Sequence, residues 1–511
     1  MFEIMGLDDA IKLIKDGDCI CVNSFVGIEA PVELHEAIYA RFKETKTPNN
    51  LTIVSAAGFG NWEEDGCAEQ YIREGAVSKL ICGHFGAMPS TKKLIQEDHF
   101  EVYNLPLGCI SHAIRAQAQG LPGTISKVGL DIFVDPRQEG PGINNLSKNN
   151  EYVQLIEFDN DEYLYYKLPK LNVALIKGTV ADKKGNISFD DQYISGDALS
   201  ICQAVKSNGG KVIVQVDRLV VKSNRPRNTI IPGALVDAIV VVEPQERPVS
   251  YRALSGSFEI PYSEWKGWQD MIDESSNMRG KSNPAYRLIG KRAAKELREH
   301  DLVNVGIGIP EGVCEYARKS GILKNITMTV ESGSIGGLPV SGKVFGAMIS
   351  AESVYDMSNQ FDLYDSGSLD ICFMGGFEVD KEGNVNAHRG PGNYSGIGGF
   401  ANITAKTKNV VFCLTFNTKG LTVTRQKDYV TIDENGSIPK FVEKVKSISF
   451  NGKRALKNGQ RVIYVTERCV FELGANGLKL VEVYPGIDPK KDVLDLLPFE
   501  VEYPAKISKR L

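Results

Sequence analysis

Glu331 closes an apolar run, Ile326–Val330, and is followed by Ser332, Gly333, Ser334, Ile335, Gly336 and Gly337. A carboxylate that ends a buried strand and opens onto a glycine-rich turn sits where open α/β sheets bind ligands, at the carboxyl ends of their strands. In that place it can act as a base, a nucleophile or a metal ligand. The segment holds no second carboxylate or histidine, which argues against a metal centre. A glutamate that only meets solvent or caps the turn is the plain alternative. The neighbouring Gly337–Lys343 nearly spells a phosphate-binding loop. That reading fails, because Val344 replaces the hydroxyl residue that would hold magnesium and Pro339 falls inside the loop. A serine nucleophile is equally unsupported, since the chain has no Gly-x-Ser-x-Gly segment.

Three further segments could present backbone to a ligand. Gly306, Ile307 and Gly308 precede Ile309-Pro310 after an apolar run and open a helix. The spacing is not the dinucleotide fingerprint, but backbone N–H groups at such a turn can cradle a phosphate or carboxylate. Gly396-Ile397-Gly398-Gly399 could supply N–H groups to an oxyanion, or serve only as a connector. Gln119-Gly120-Leu121-Pro122-Gly123 places a neutral amide beside a turn and says little alone.

The elements that must carry these residues are short apolar runs bounded by glycine: Ile20–Val22, Leu51–Val54, Val173–Ile176, Val212–Val216, Ile239–Val242, Val303–Val305, Ile326–Val330, Ile371–Met374 and Val410–Leu414. Their alternation with helical patterns predicts α/β architecture with mainly parallel sheets and crossover helices. One helix is well marked: Asn283 caps it, Pro284 opens it, and the apolar stripe extends to about His300. The polar stretch before it predicts three segments, with a domain over 1–245, a connector over 246–283 and a second domain over 284–511. Trp265 and Trp268 suggest that the connector packs onto something.

The two halves repeat one another. Val22-Asn23 answers Val303-Asn304, Asn50-Leu51-Thr52 answers Asn325-Ile326-Thr327, and Gly58 answers Gly333. Asp182–Asn186 answers Asp380–Asn384, with the first half carrying the longer insertion before this landmark. Ala56 therefore stands where Glu331 stands. A scaffold that needed a carboxylate there would have one in both copies, so Glu331 reads as functional, in a site where the halves meet.

Composition bounds the partners. The 511 residues carry 59 Lys+Arg against 64 Asp+Glu, a net charge of −5, which lacks the footprint of a nucleic-acid binder. Apolar stretches such as Ala238–Val242 fall short of a membrane span, and acidic residues near the N-terminus do not suit a secretory signal. Ten cysteines, mostly in apolar surroundings, read as buried free thiols of a reducing, cytoplasmic setting.

Glu331-Ser-Gly with Gly336-Gly337, Val303–Pro310 and Gly396–Phe400 resemble family I coenzyme A transferases, within them the acetate/propionate CoA-transferase group. Phe133–Arg137, Gly178–Asp182 and Gly185-Asn186 join the resemblance, which spans nearly the whole chain. The resemblance implies a fold of two similar open α/β domains, with Glu331 as the catalytic residue. It places Gly398 and Gly399 at the oxyanion site and Gln119 facing the reacting carbonyl, and Gly306, Ile307 and Gly308 fall to CoA binding. It further implies acyl-CoA and short-chain carboxylic acids as partners, no metal or other cofactor, and a homo-oligomer, dimer or tetramer. Transfer would run through a glutamyl-CoA thioester. The alternatives are an acyl-CoA hydrolase on the same fold and a non-catalytic CoA- or nucleotide-sensing protein.

Overall fold

The computed structural model describes residues 2–63, 65–222, 225–243, 283–390, 392–426, 429–504 and 508–509. The connector expected over 246–283, with Trp265 and Trp268, lies outside the described residues except for Asn283.

In the first half, strands β1 (Glu3–Ile4), β2 (Cys19–Val22), β3 (Leu51–Ser55), β4 (Val77–Cys82), β5 (Glu101–Asn104), β6 (Val173–Asp182), β7 (Lys211–Val220) and β8 (Ala238–Val241) form a parallel path. Its order is β1-β8-β7-β6-β2-β3-β4-β5. Two short antiparallel strands, Ile187–Ser188 and Thr229–Ile231, bring the sheet to ten. In the second half β9 (Leu302–Val305), β10 (Thr327–Thr329), β11 (Ile371–Met374), β12 (Asn409–Cys413) and β13 (Arg461–Val465) run parallel in the order β10-β9-β11-β12-β13. Antiparallel strands flank this core on both sides. Strands buried on both faces are continuously apolar, which is why the glycine-bounded runs located them.

The duplication is visible in the topology. The order β8-β7-β6-β2-β3 matches β13-β12-β11-β9-β10 strand for strand. Its landmark turns are built alike. Asp182 Oδ1 accepts from the N–H groups of Lys184 and Asn186, at 2.8 and 3.0 Å. Asp380 Oδ1 accepts from Glu382 and Asn384 at 3.1 and 3.0 Å. Each turn's asparagine then takes a glycine N–H at 3.0 Å, Gly233 onto Asn186 and Gly452 onto Asn384. The first half's insertion contains β4, β5 and a small antiparallel sheet of Thr124–Ser126, Val153–Phe158 and Asp161–Tyr166.

Five helices matter for the site: α1 (Leu107–Ala118), α2 (Pro284–Ala293), α3 (Gly312–Ser320), α4 (Met357–Asp365) and α5 (Phe400–Lys406). Asn283 Oδ1 caps α2 by accepting from Ala285 N at 2.9 Å. α2 stops at Ala293 with a 3₁₀ turn over Ala294–Glu296, short of the expected His300. Leu297 is buried and turns extended (ψ 139°), which leads the chain into β9. No helix among the described residues is long and apolar enough to cross a membrane.

The halves are tied through α1 and α4. Arg115 on α1 holds Asp362 on α4 with two guanidinium N–H bonds of 2.9 Å, and His112 Nε2 reaches Asp362 at 3.0 Å. Ser111 Oγ donates to Asp197, whose Oδ1 also accepts from Ser358 N at 3.1 Å. This seam sets α4 beside the end of β10.

Candidate active site

Glu331 follows β10 in a tight turn. Gly333 N donates to Val330 O at 3.1 Å and Val330 N to Ser334 O at 3.0 Å. Gly333 has φ +119°, and a Cβ there would stand 2.0 Å from Tyr355 O, so only glycine fits. Ser332 Oγ donates to Gly346 O at 2.5 Å and pins the turn from its other side. Glu331 itself is 8% exposed, so it is not a solvated turn residue. Burial pushes its carboxyl pKa above the ordinary range, while a backbone N–H and the Asn304 amide work the other way and favour the carboxylate.

The glycine loop before α5 lies directly against this side chain. A Cβ on Gly399 would be 2.8 Å from Glu331 Cγ and 3.2 Å from Oε1. Gly399 N–H makes no hydrogen bond among the described residues. Gly398 has a different part from the one expected. Its N–H donates to Gly83 O at 2.7 Å and its carbonyl accepts from Leu107 N at 2.9 Å, so its amide is committed to joining the halves. Its φ of +52° shapes the loop.

The first half contributes the turn after β4. Phe85 N and Gly86 N both donate to Ser395 O, at 2.8 and 3.1 Å, and Asn104 Oδ1 accepts from Ile397 N at 3.0 Å. His84 is half-buried in this turn, with its ring edge-on to Trp62 at 6.2 Å. Burial, aided by Lys92, pushes its pKa down to about 4, so the imidazole is neutral at physiological pH. Glu331 thus lies at a seam built by both halves.

Behind Glu331 stands a buried polar ladder. Gln360 Nε2 donates to Tyr364 Oη at 2.9 Å, Tyr364 donates to Thr329 Oγ1 at 3.0 Å, and Thr329 donates to Val303 O at 2.9 Å. Asn304 Nδ2 lies 3.3 Å from both Tyr364 Oη and Thr329 O.

The other expected residues fall elsewhere. Gly306, Ile307 and Gly308 form an open turn at the end of β9. Gly306 N is tied to Phe373 O at 2.8 Å, and the turn leads through a 3₁₀ segment, Ile309–Glu311, into α3. It shares the ligand edge of the sheet with Glu331. Gln119 is not brought to Glu331. It caps α1 at its C-terminal end, exposed, and lines a separate cleft of about 970 Å³ whose walls do not include Glu331. The first-half residues that do meet the glycine loop are Gly83–Gly86, Asn104 and Leu107. No local motif marks them, because their partners lie across the seam. Asn304 was visible in the repeat as the counterpart of Asn23, yet only the fold places it beside Glu331. Cys314, a thiol in α3, is half-buried.

Comparison with known proteins agrees with this fold. The family described as Coenzyme A transferase matches residues 4–242 and 286–491. The chain is 38% identical over 504 residues to the acetate CoA-transferase YdiF of Escherichia coli K12, covering 97% of this chain and 92% of that protein. It is likewise 38% identical over 511 residues to the caffeate CoA-transferase of Acetobacterium woodii, covering 98% and 94%. The crystal structure of the acyl-CoA transferase YdiF from E. coli O157:H7, a thioester complex with CoA, superposes with a TM-score of 0.89 at 35% identity, covering 100% of this chain and 95% of that one. The chain belongs to the coenzyme A transferase family.

Proposed function

We propose that this CoA-transferase moves CoA from a short-chain acyl-CoA to a carboxylic acid, acting as an acetate- or propionate-type enzyme by a ping-pong mechanism on Glu331. The observation that carries the reading is the buried Glu331 carboxylate packed on Gly399, whose N–H is unoccupied. The carboxylate attacks the thioester carbonyl, the C–S bond breaks, and CoA thiolate leaves with the electron pair, giving a mixed anhydride. The thiolate then attacks the glutamyl carbonyl, the anhydride C–O bond breaks, and the first acid departs, leaving a glutamyl-CoA thioester. A second carboxylate reverses these steps. Gly399 N–H stabilises oxyanion charge, and the Gly306–Gly308 turn receives part of CoA. The thioester bond energy stays in the covalent enzyme, so the reading calls for no metal or redox cofactor.

Residues 1–245 and 284–511 are the two domains of this reading, and a cytoplasmic homo-oligomer is its setting. The rival is hydrolysis on the same site, with water intercepting the acyl group. A panel of acyl-CoA donors, each assayed with and without acetate, propionate or butyrate, separates them. Turnover that depends on the added acid supports transfer. CoA release at an equal rate without acid supports hydrolase activity.

A further inference from the structure

Resting on Glu331 as the nucleophile, we propose that His388 is a positioning residue: its ring, fixed between Ser447 and Ser449, holds the main chain from which the glycine loop beside Glu331 is hung. The loop from Ser395 to Gly399 is fastened from two sides. The first half holds the carbonyl of Ser395 through Phe85 and Gly86, the N–H of Ile397 through Asn104, and the N–H of Gly398 through Gly83. The fastening from the loop's own half is His388, whose carbonyl accepts from Ser395 N at 2.9 Å and from Gly396 N at 3.3 Å. Further along the loop Gly399 packs on the nucleophile, with its Cβ position 2.8 Å from Glu331 Cγ. A shift of the His388 carbonyl therefore moves the surface against which the carboxylate is set.

The hydrogen bonds around the ring settle where its proton lies. Ser447 Oγ donates to Glu139 of the first half, a carboxylate that can only accept. With that proton committed, Ser447 Oγ accepts from His388 Nε2, 3.2 Å away, so the ring carries its hydrogen on Nε2. His388 Nδ1 is then an acceptor, and Ser449 Oγ donates to it at 2.7 Å while accepting from Ala387 N at 2.7 Å. Burial, aided by Arg389, pushes the imidazole pKa down to about 3, so the ring stays neutral and keeps this order. Phe133 of the first half stacks on the ring at 4.0 Å, and its N–H donates to Ile448 O at 2.7 Å. The chain from Ser449 through His388 and Ser447 to Glu139 crosses the seam and gives the buried ring one orientation.

His388→Phe keeps the stack on Phe133 and deletes both ring hydrogen bonds. Because a small misplacement of reacting groups is costly, kcat should fall by about tenfold or more, while KM for acyl-CoA stays within about twofold. His388→Gln can return an N–H to Ser447 and should recover a clear share of the lost kcat. Ser447→Ala breaks the link to Glu139 and should lower kcat in the same sense. Parent kcat in His388→Phe, or equal kcat in His388→Phe and His388→Gln, means the ring only fills space, and the proposal fails. A rise in KM that accounts for the whole loss of kcat/KM overturns it too, because the loop then serves binding. Should His388→Phe not fold, parent kcat in Ser447→Ala overturns it equally. Borohydride labelling of Glu331 in the parent enzyme keeps the two readings apart. Labelling with parent kcat in the variants defeats the role of His388 alone, and absence of the label defeats the nucleophile assignment beneath it.

Discussion

The proposed chemistry rests on one carboxylate, Glu331, held in a place that opposes its charge. Glu331→Gln keeps the volume and removes the nucleophile, so transfer should fall by orders of magnitude while the fold and CoA binding persist. A variant retaining about a tenth of the parent rate would exclude Glu331 as nucleophile. Because the carboxylate form attacks and burial raises its pKa, activity should rise with pH through that raised value rather than near the ordinary glutamate value of about 4.3. A kcat profile flat down to that ordinary value would contradict the burial argument. Gly399→Ala places a methyl where Glu331 Cγ stands 2.8 Å away. Displacement of the carboxylate from its place against the glycine loop should cost on the order of 10²-fold in kcat, read by steady-state kinetics, with little change in stability. Glu331 was legible because a strand, a carboxylate and a glycine turn are contiguous, and because Ala56 shows that the scaffold does not require it. That Gly399 packs against Glu331 was legible only as far as the Gly398-Gly399 pair. Telling it from Gly398 needed the partner across the seam, Gly83, whose carbonyl takes one N–H and leaves the other free.

At the scale of elements, the parallel strands could be read from composition alone, since both of their faces are buried and apolar runs mark them. Helix ends were less legible. α2 stops before the stripe suggests because Leu297 is drawn into the core, a tertiary demand that no local pattern carries. The Gln119 assignment failed for a similar reason. A glutamine beside a turn looks the same whether the turn faces the site or, as here, an outer cleft. The α1–α4 contact is invisible in sequence and carries its own prediction. Burial alone would lower the pKa of His112, but Asp362 and Asp365 outweigh it and hold it above the usual value. A raised histidine contributes stability that is complete below its unfolded value of about 6.5 and is lost as pH rises through the folded value. Thermal unfolding should therefore show Tm falling across that window in the parent, and a shallower fall in His112→Gln. Equal slopes would mean that the imidazole carries no charge in the seam.

The whole molecule is a duplicated fold in which one copy kept a carboxylate and the other supplies the wall it faces. The shared strand order and the matched Asp182 and Asp380 turns fix both sheets in one pattern, and the turn after β4 meets, at one seam, the glycine loop that lies against Glu331. The account stands on covalent storage of CoA at that seam. The direct measurement is to mix the enzyme with an acyl-CoA and no acceptor acid, then weigh the intact protein and treat it with borohydride. A glutamyl-CoA thioester predicts a gain of the mass of CoA without the acyl group. It also predicts irreversible inactivation on reduction and a modified peptide within Thr329–Gly337. Unchanged mass with full activity after borohydride, or an acyl group on Cys314, would contradict the mechanism.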